Sequence, residues 1–131
     1  MSLIKYQPFT SHSGLNLSWK IDCDSLFDKS IEAIAEIVKD QYDFREVYGI
    51  PRGGIRLANA LKKYENPGSL NLLIVDDVMT TGKSMQSTKE SFMEKYKWGY
   101  RISGFVMFDR CSLNFDWIDH LFKVNDDMEK F

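Results

Sequence analysis

The stretch LNLLIVDDVMTTGKS, residues 70–84, decides the fold. It opens with a nearly continuous apolar run, Leu70–Val75, the pattern of a strand covered on both faces in a parallel sheet. Asp76 and Asp77 follow, and the spacing predicts a loop from Asp76 to Gly82. A helix is then expected from about Lys83 to Lys97, with Met85, Phe92, Met93 and Tyr96 along one side. A buried strand that hands two carboxylates to a sheet edge, then turns through a glycine into a helix, is half of a parallel α/β unit.

Working outward, the same alternation recurs on both sides. Upstream, EVYGI (Glu46–Ile50) reads as a short strand running into Pro51, Arg52, Gly53 and Gly54. A helix over residues 55–64 is expected next, with Leu57, Ala58, Leu61 and Tyr64 turned inward, stopped by Asn66, Pro67 and Gly68. Earlier still, Phe27, Ile31, Ile34, Ala35 and Val38 form one apolar stripe at helical spacing, with Asp24 or Ser25 as the cap. Downstream, RISGFVMF (Arg101–Phe108) and DHLFKV (Asp119–Val124) read as further strands. Residues 1–22 are rich in turn formers, with a short strand expected at Ser18–Ile21. The class is α/β: a single-domain Rossmann-like parallel sheet flanked by helices and joined by right-handed crossovers. Ligands of such sheets bind beyond the carboxyl ends of the strands, where Pro51–Gly54, Asp76–Ser84 and Asp109-Arg110 all fall.

Composition narrows the function. A chain of 131 residues is the size of one domain, and 44% hydrophobic with 27% charged residues is an ordinary globular profile. A net charge of −2 argues against a broad nucleic-acid surface but leaves room for a local phosphate pocket. No apolar run reaches the roughly 18 residues of a membrane span, and MSLIKYQPF does not read as a signal peptide. Cys23 and Cys111 fit no metal spacing; a reduced cytoplasmic protein is the plain expectation, with a Cys23–Cys111 disulfide as the alternative.

The chemistry concentrates between Asp76 and Ser84. A loop entering a helix offers unpaired backbone N–H groups and the positive end of the helix dipole, which together suit a phosphate. Thr80, Thr81 and Ser84 add hydroxyls, Gly82 permits close approach of backbone, and Lys83 adds charge. Asp76 and Asp77 repel a phosphate but suit sugar hydroxyls or a Mg²⁺ ion. Together these parts describe a pocket for a phosphorylated sugar. Capping of the helix explains each residue separately, but not their coincidence.

LLIVDDVMTTGKS resembles the 5-phosphoribosyl-1-pyrophosphate (PRPP) motif of the type I phosphoribosyltransferases: apolar strand, two acids, Thr-Thr-Gly, Ser. It does not resemble a Walker P-loop, whose GxxxxGK[ST] string is missing. The resemblance implies that Thr80, Thr81, Gly82, Lys83 and Ser84, with the amides of Val78 and Met79, hold the 5′-phosphate. It implies that Asp76 and Asp77 face the ribose hydroxyls, directly or through Mg²⁺. VYGIPRGG (Val47–Gly54) is similar to the family's pyrophosphate loop, which casts Pro51, Arg52, Gly53 and Gly54 as pyrophosphate ligands.

Two further segments resemble orotate phosphoribosyltransferases. FTSHSGLNLSWKID (Phe9–Asp22) is similar to the segment that forms a hood over the base, and FVMFDR (Phe105–Arg110) to the strand that carries an Asp-Arg pair. The resemblance thus implies Lys20 and Arg110 as base contacts, and a division into a hood (residues 1–24) and an α/β core (residues 25–131). It also implies a pentosyltransferase of pyrimidine biosynthesis that takes PRPP, Mg²⁺ and a nucleobase, orotate first among them. Partners are small molecules, with no nucleic acid, no membrane, and a homodimer left open. His12 and His120 read as structural. The long flexible insert that orotate enzymes carry before the motif has no counterpart here, since residues 65–69 are a short connection. A PRPP-binding regulator without transfer activity, and a transferase with another acceptor, therefore stand as alternatives.

Overall fold

In a computed structural model of the chain, the residues described are 3–5, 9–10, 16–17, 20–23, 26–96 and 99–124. Expectations for His12 and the neighbouring turn, and for Asp24 or Ser25 as a cap, lie outside them.

Four parallel strands form the main sheet: β5 (Glu46–Gly49), β6 (Asn71–Met79), β7 (Arg101–Asp109) and β8 (Ile118–Lys123), side by side in chain order. Ahead of them, β1 (Ile4–Lys5) pairs antiparallel with β4 (Lys20–Ile21), and β2 (Phe9–Thr10) with β3 (Asn16–Leu17). Of the strand expected at Ser18–Ile21, residues 20–21 are described, and they form β4. The helices are α1 (Asp28–Gln41), α2 (Ile55–Leu61), which continues as a 3-10 turn over Lys62–Tyr64, and α3 (Lys83–Lys95).

Side-chain alternation along β6 sends two cores to opposite faces. Leu73 and Val75 join Val47, Phe105 and Met107 under Ile31, Ala35 and Val38 of α1 and Leu57, Ala58 and Leu61 of α2. Ile74 joins Val106, Ile118 and Met85 of α3 on the other face. Burying a Leu or Val side chain is worth about 1.5–3 kcal/mol, so these two layers hold the sheet. Cys23 and Cys111 are free thiols that belong one to each core.

This arrangement corrects the expected handedness. Two right-handed crossovers stepping the same way across a sheet leave both helices on one face. Here α2 (from β5 to β6) and α3 (from β6 to β7) lie on opposite faces, so one of the two connections is left-handed. The connection from β7 to β8, residues 110–117, has no helix at all. It is short because β8 begins opposite Gly104, halfway back along β7.

Two side chains depart from their expected roles. Phe27 is the N-cap of α1, with no side-chain cap bond, and is 76% exposed; the buried stripe begins at Ile31. Met93 is 57% exposed on α3, whose buried residue is Met85 alone. On the opposite face, the Tyr42 hydroxyl donates to Asp119 and ties the end of α1 to β8.

Candidate functional site

Because β5, β6 and β7 are parallel, their carboxyl ends share one edge of the sheet. That edge carries Pro51–Gly54 after β5, Thr80–Gly82 after β6 and Arg110 after β7.

β6 does not end at Val75. It runs to Met79, with Asp76 paired to Val106, Val78 to Phe108 and Met79 to Asp109, so both acids stand within the strand. They are held there by their own backbone: Asp76 Oδ1 accepts from the Asp77 amide at 2.8 Å, and Asp77 Oδ1 accepts from the Val78 amide at 2.7 Å. The Val78 amide is thus already engaged. Asp76 is buried (9% exposed) while Asp77 is half-buried. Burial, then the neighbouring Asp77 charge and a hydrogen bond to it, push the Asp76 pKa up to about 8. These effects hold Asp76 toward its neutral, protonated form.

Gly82, with φ of 84°, is the N-cap of α3. A Cβ there would lie 2.5 Å from the Phe115 ring, so only glycine fits both the conformation and the space. The first turn of α3 contains no acid, and the Lys83 amide bonds the Thr81 hydroxyl at a long 3.4 Å. The opening amides of a helix have no intrahelical acceptor. Here they meet the loop Thr80, Thr81, Gly82, Lys83 and Ser84 with the dipole's positive end uncompensated by a carboxylate.

The turn after β5 packs against this strand. The Gly54 amide closes on Ile50 O at 2.8 Å, and a Cβ on Gly54 would lie 2.4 Å from Val75 O. A Cβ on Gly53 would meet the Asp77 carboxyl at 2.3 Å. Pro51 and Arg52 are exposed, and the peptide between them is cis. The two loops singled out by sequence are therefore in contact through Gly53 and Asp77.

Arg110 is buried (6% exposed), with its amide bonded to Met79 O at 2.8 Å. Beside it, the buried Asp109 carboxylate accepts from the Cys111 amide at 2.8 Å and meets Lys123 Nζ and His120 Nδ1, each at 3.3 Å. His120 thus has an acidic partner that no local pattern announced. Lys20 lies in β4, and its side chain is outside the described residues. Sequence reasoning also missed Cys23. It is buried, and that burial first, then the nearby charge of Asp77, push the pKa of its thiol up. No spacing signal links Cys23 or Phe115 to the motif; both reach it through the fold.

No group of three or more His, Cys, Asp or Glu side chains is placed to hold a metal among the described residues. The donor set is one buried neutral acid and one carboxylate. It fits a Mg²⁺ ion that brings most of its oxygen ligands from phosphates and water, not a resident metal in a protein cage. No helix among the described residues is long and apolar enough to cross a membrane.

No family model matches the sequence, and no curated protein matches it. Solved structures do. An orotate phosphoribosyltransferase from Aeropyrum pernix superposes with a TM-score of 0.62 at 23% identity, covering 82% of this chain and 75% of that one. The Mycobacterium tuberculosis orotate phosphoribosyltransferase, in complex with inorganic phosphate, gives 0.56 at 17% identity over 81% and 75%. The Helicobacter pylori xanthine-guanine-hypoxanthine phosphoribosyltransferase gives 0.53 at 12% identity over 77% and 86%. The chain has the type I phosphoribosyltransferase fold, and its structural neighbours include enzymes for both orotate and purine bases.

Proposed function

We propose that the chain is a phosphoribosyltransferase, a pentosyl-moving glycosyltransferase that joins the 5-phosphoribosyl group of PRPP to a nucleobase and releases pyrophosphate. Orotate is the leading acceptor. One observation carries the reading: Asp77 of the acid pair of β6 touches the glycine turn after β5, beside a helix start suited to an anion. Sugar, leaving group and phosphate anchor are thus offered neighbouring surfaces at one sheet edge.

In this reaction the base nitrogen gives its lone pair to C1′. The bond from C1′ to the pyrophosphate oxygen breaks, its electrons leave on pyrophosphate, and the nitrogen's proton passes to solvent. Positive charge grows on the sugar and negative charge on the leaving group, and fixed charges aimed at both lower the barrier. The Asp77 carboxylate serves the sugar, and neutral Asp76 donates to a ribose hydroxyl. Residues 80–84 and the first amides of α3 grip the 5′-phosphate. Arg52, exposed on its turn, meets the pyrophosphate together with Gly53. Arg110 and Lys20 face the base. Asp76 and Asp77 would hold a Mg²⁺ ion brought by PRPP, which would supply further positive charge to the leaving group. The protein acts as one unit, residues 1–24 covering residues 25–131, on small molecules in the cytoplasm; its free thiols accord with a reducing compartment.

The direct experiment incubates the protein with PRPP, Mg²⁺ and a panel of bases that includes orotate, uracil, hypoxanthine and guanine. Nucleotide and pyrophosphate should appear together, in equal amounts, with one base or one class of bases. Silence with all bases, together with no stabilisation by PRPP, removes the reading. A PRPP-binding regulator is the second reading, and the six-residue connection from residue 65 to 70 favours it, because no long insert closes over the leaving group there. It predicts PRPP-dependent thermal stabilisation without turnover.

A further inference from the structure

The connection from β7 to β8, residues 110–117, is the link in the main sheet that carries no helix. Its pattern is that of a chain laid on a surface. Ser112, Leu113, Asn114 and Asp116 are exposed, whereas Phe115 and Trp117 are half-buried and pack on the core beneath α3. Two aromatic rings give this otherwise polar segment one preferred seat. That seat is the start of α3. The Arg110 amide donates to Met79 O at 2.8 Å, just ahead of residues 80–82. Phe115 lies against Gly82 at the far end of that loop: a Cβ on Gly82 would stand 2.5 and 2.6 Å from the ring's Cε2 and Cζ. Two turns further along α3, Lys89 Nζ sits 4.8 Å from the centroid of the Trp117 ring. The base of the connection is anchored in turn. The Cys111 amide donates to Asp109 Oδ1 at 2.8 Å, and Lys123 Nζ donates to Cys111 O.

The loop ahead of α3 is therefore bracketed, at Met79 by an amide and at Gly82 by a ring. Gly82 is where such support matters. Its φ of 84° is open to it because it has no Cβ, and the same lack leaves glycine the residue with most conformational freedom to lose. Its carbonyl accepts the first helical bond of α3, from the Gln86 amide at 2.9 Å. The conformation at this one residue thus sets the direction of the helix's opening amides. With its flank empty, an anion binding there would have to order the glycine itself and would bind more weakly for it. The Phe115 ring fills that flank.

We infer that Phe115 is a positioning residue of the 5′-phosphate site: seated on Gly82, its ring holds the cap of α3 so that the first amides are set before the phosphate arrives. Phe115 belongs to none of the recognised motifs and acts through Gly82, not on the phosphate. The inference rests on the PRPP reading above.

The test measures the dissociation constants of ribose 5-phosphate and of PRPP by calorimetry with Mg²⁺ present, and melting temperatures without ligand, for the wild type, Phe115→Ala, Phe115→Leu and Val38→Ala. Val38 is fully buried under α1 on the opposite face of the sheet, so its truncation reports what lost packing does away from the loop. Phe115→Ala should weaken both ligands about tenfold, the scale of ordering the backbone of one residue. Phe115→Leu, which keeps part of the bulk beside Gly82, should weaken them about threefold. Val38→Ala should lower the melting temperature yet keep both affinities within about twofold of the wild type. Wild-type affinity in Phe115→Ala overturns the inference. So does a loss in Val38→Ala equal to that in Phe115→Ala, since general loosening would then account for both. If Phe115→Ala does not fold, Phe115→Leu decides, and unaltered affinity there overturns the inference. A wild type that binds neither ligand fails the PRPP reading itself, an outcome distinct from a wild type that binds and Phe115 variants that do not differ from it.

Discussion

The Asp77 carboxylate occupies the space in which a side chain at residue 53 would begin. A Cβ built on Gly53 meets Asp77 Cγ and both carboxylate oxygens at 2.3 Å. The turn after β5 and the acid of β6 therefore share one wall, and neither can change shape without moving the other. Gly53→Ala should push the carboxylate aside by about an ångström. A misplacement of that size costs on the order of 10²-fold in turnover where positioning drives the chemistry. Steady-state rates with PRPP and the accepted base should show it, while urea unfolding shows a smaller change.

Gly82 carries a double constraint, a positive φ of 84° and the Phe115 ring 2.5 Å from where its Cβ would lie. Gly82→Ala should lose about 1–3 kcal/mol in urea unfolding, from left-handed backbone cost plus contact with the ring. Removing the ring separates the two. In a Phe115→Ala background, Gly82→Ala should cost only the backbone part, and equal losses in both backgrounds would exclude the contact.

Asp76 makes stability depend on pH in a sense opposite to that of a salt-bridged acid. Its folded pKa of about 8 lies above the ordinary 3.8. Between these values the folded chain holds a proton that the unfolded chain has released. The unfolded state thus binds fewer protons, and stability falls as pH rises through this window. In metal-free buffer the melting temperature should drop between about pH 5 and 8, and Asp76→Asn should flatten that drop. A variant with the wild-type slope would assign the titration elsewhere.

The outer edge of β5 is closed by a side chain. The Val47 amide, pointing away from β6, donates to Glu65 Oε2 at 3.0 Å. An open strand edge is a template for pairing with another chain. Glu65→Ala should lose about 1 kcal/mol and should also raise concentration-dependent association, read by light scattering on warming. Unchanged scattering would mean that other features protect this edge.

The parallel α/β class, and the meeting of the two motif loops at one sheet edge, followed from apolar runs alternating with amphipathic ones. That logic works because burial on both faces of a sheet leaves a continuous signal, as at Leu72–Val75. It failed where the signal is local polarity satisfied by the fold. Asp76 and Asp77 look like loop residues, yet each binds the amide that follows it, and β6 continues to Met79. Phe27 fits the α1 stripe by spacing but falls one residue before the helix, where its side chain leaves the core. Met93 fits the α3 stripe, but α3 is the one helix on its sheet face among the described residues and buries little beyond Met85. The motif residues were legible because they are contiguous. Cys23, Phe115 and the Asp109–His120 pair were not, because their contacts join distant parts of the chain.

The strand order has a consequence for synthesis. In β5-β6-β7-β8 each strand lies beside the one made just before it. Among these four described strands, none has to wait for a later one or insert between two already placed. The sheet can therefore be laid down vectorially as the chain leaves the ribosome, each addition closing a loop to its immediate predecessor at modest entropic cost.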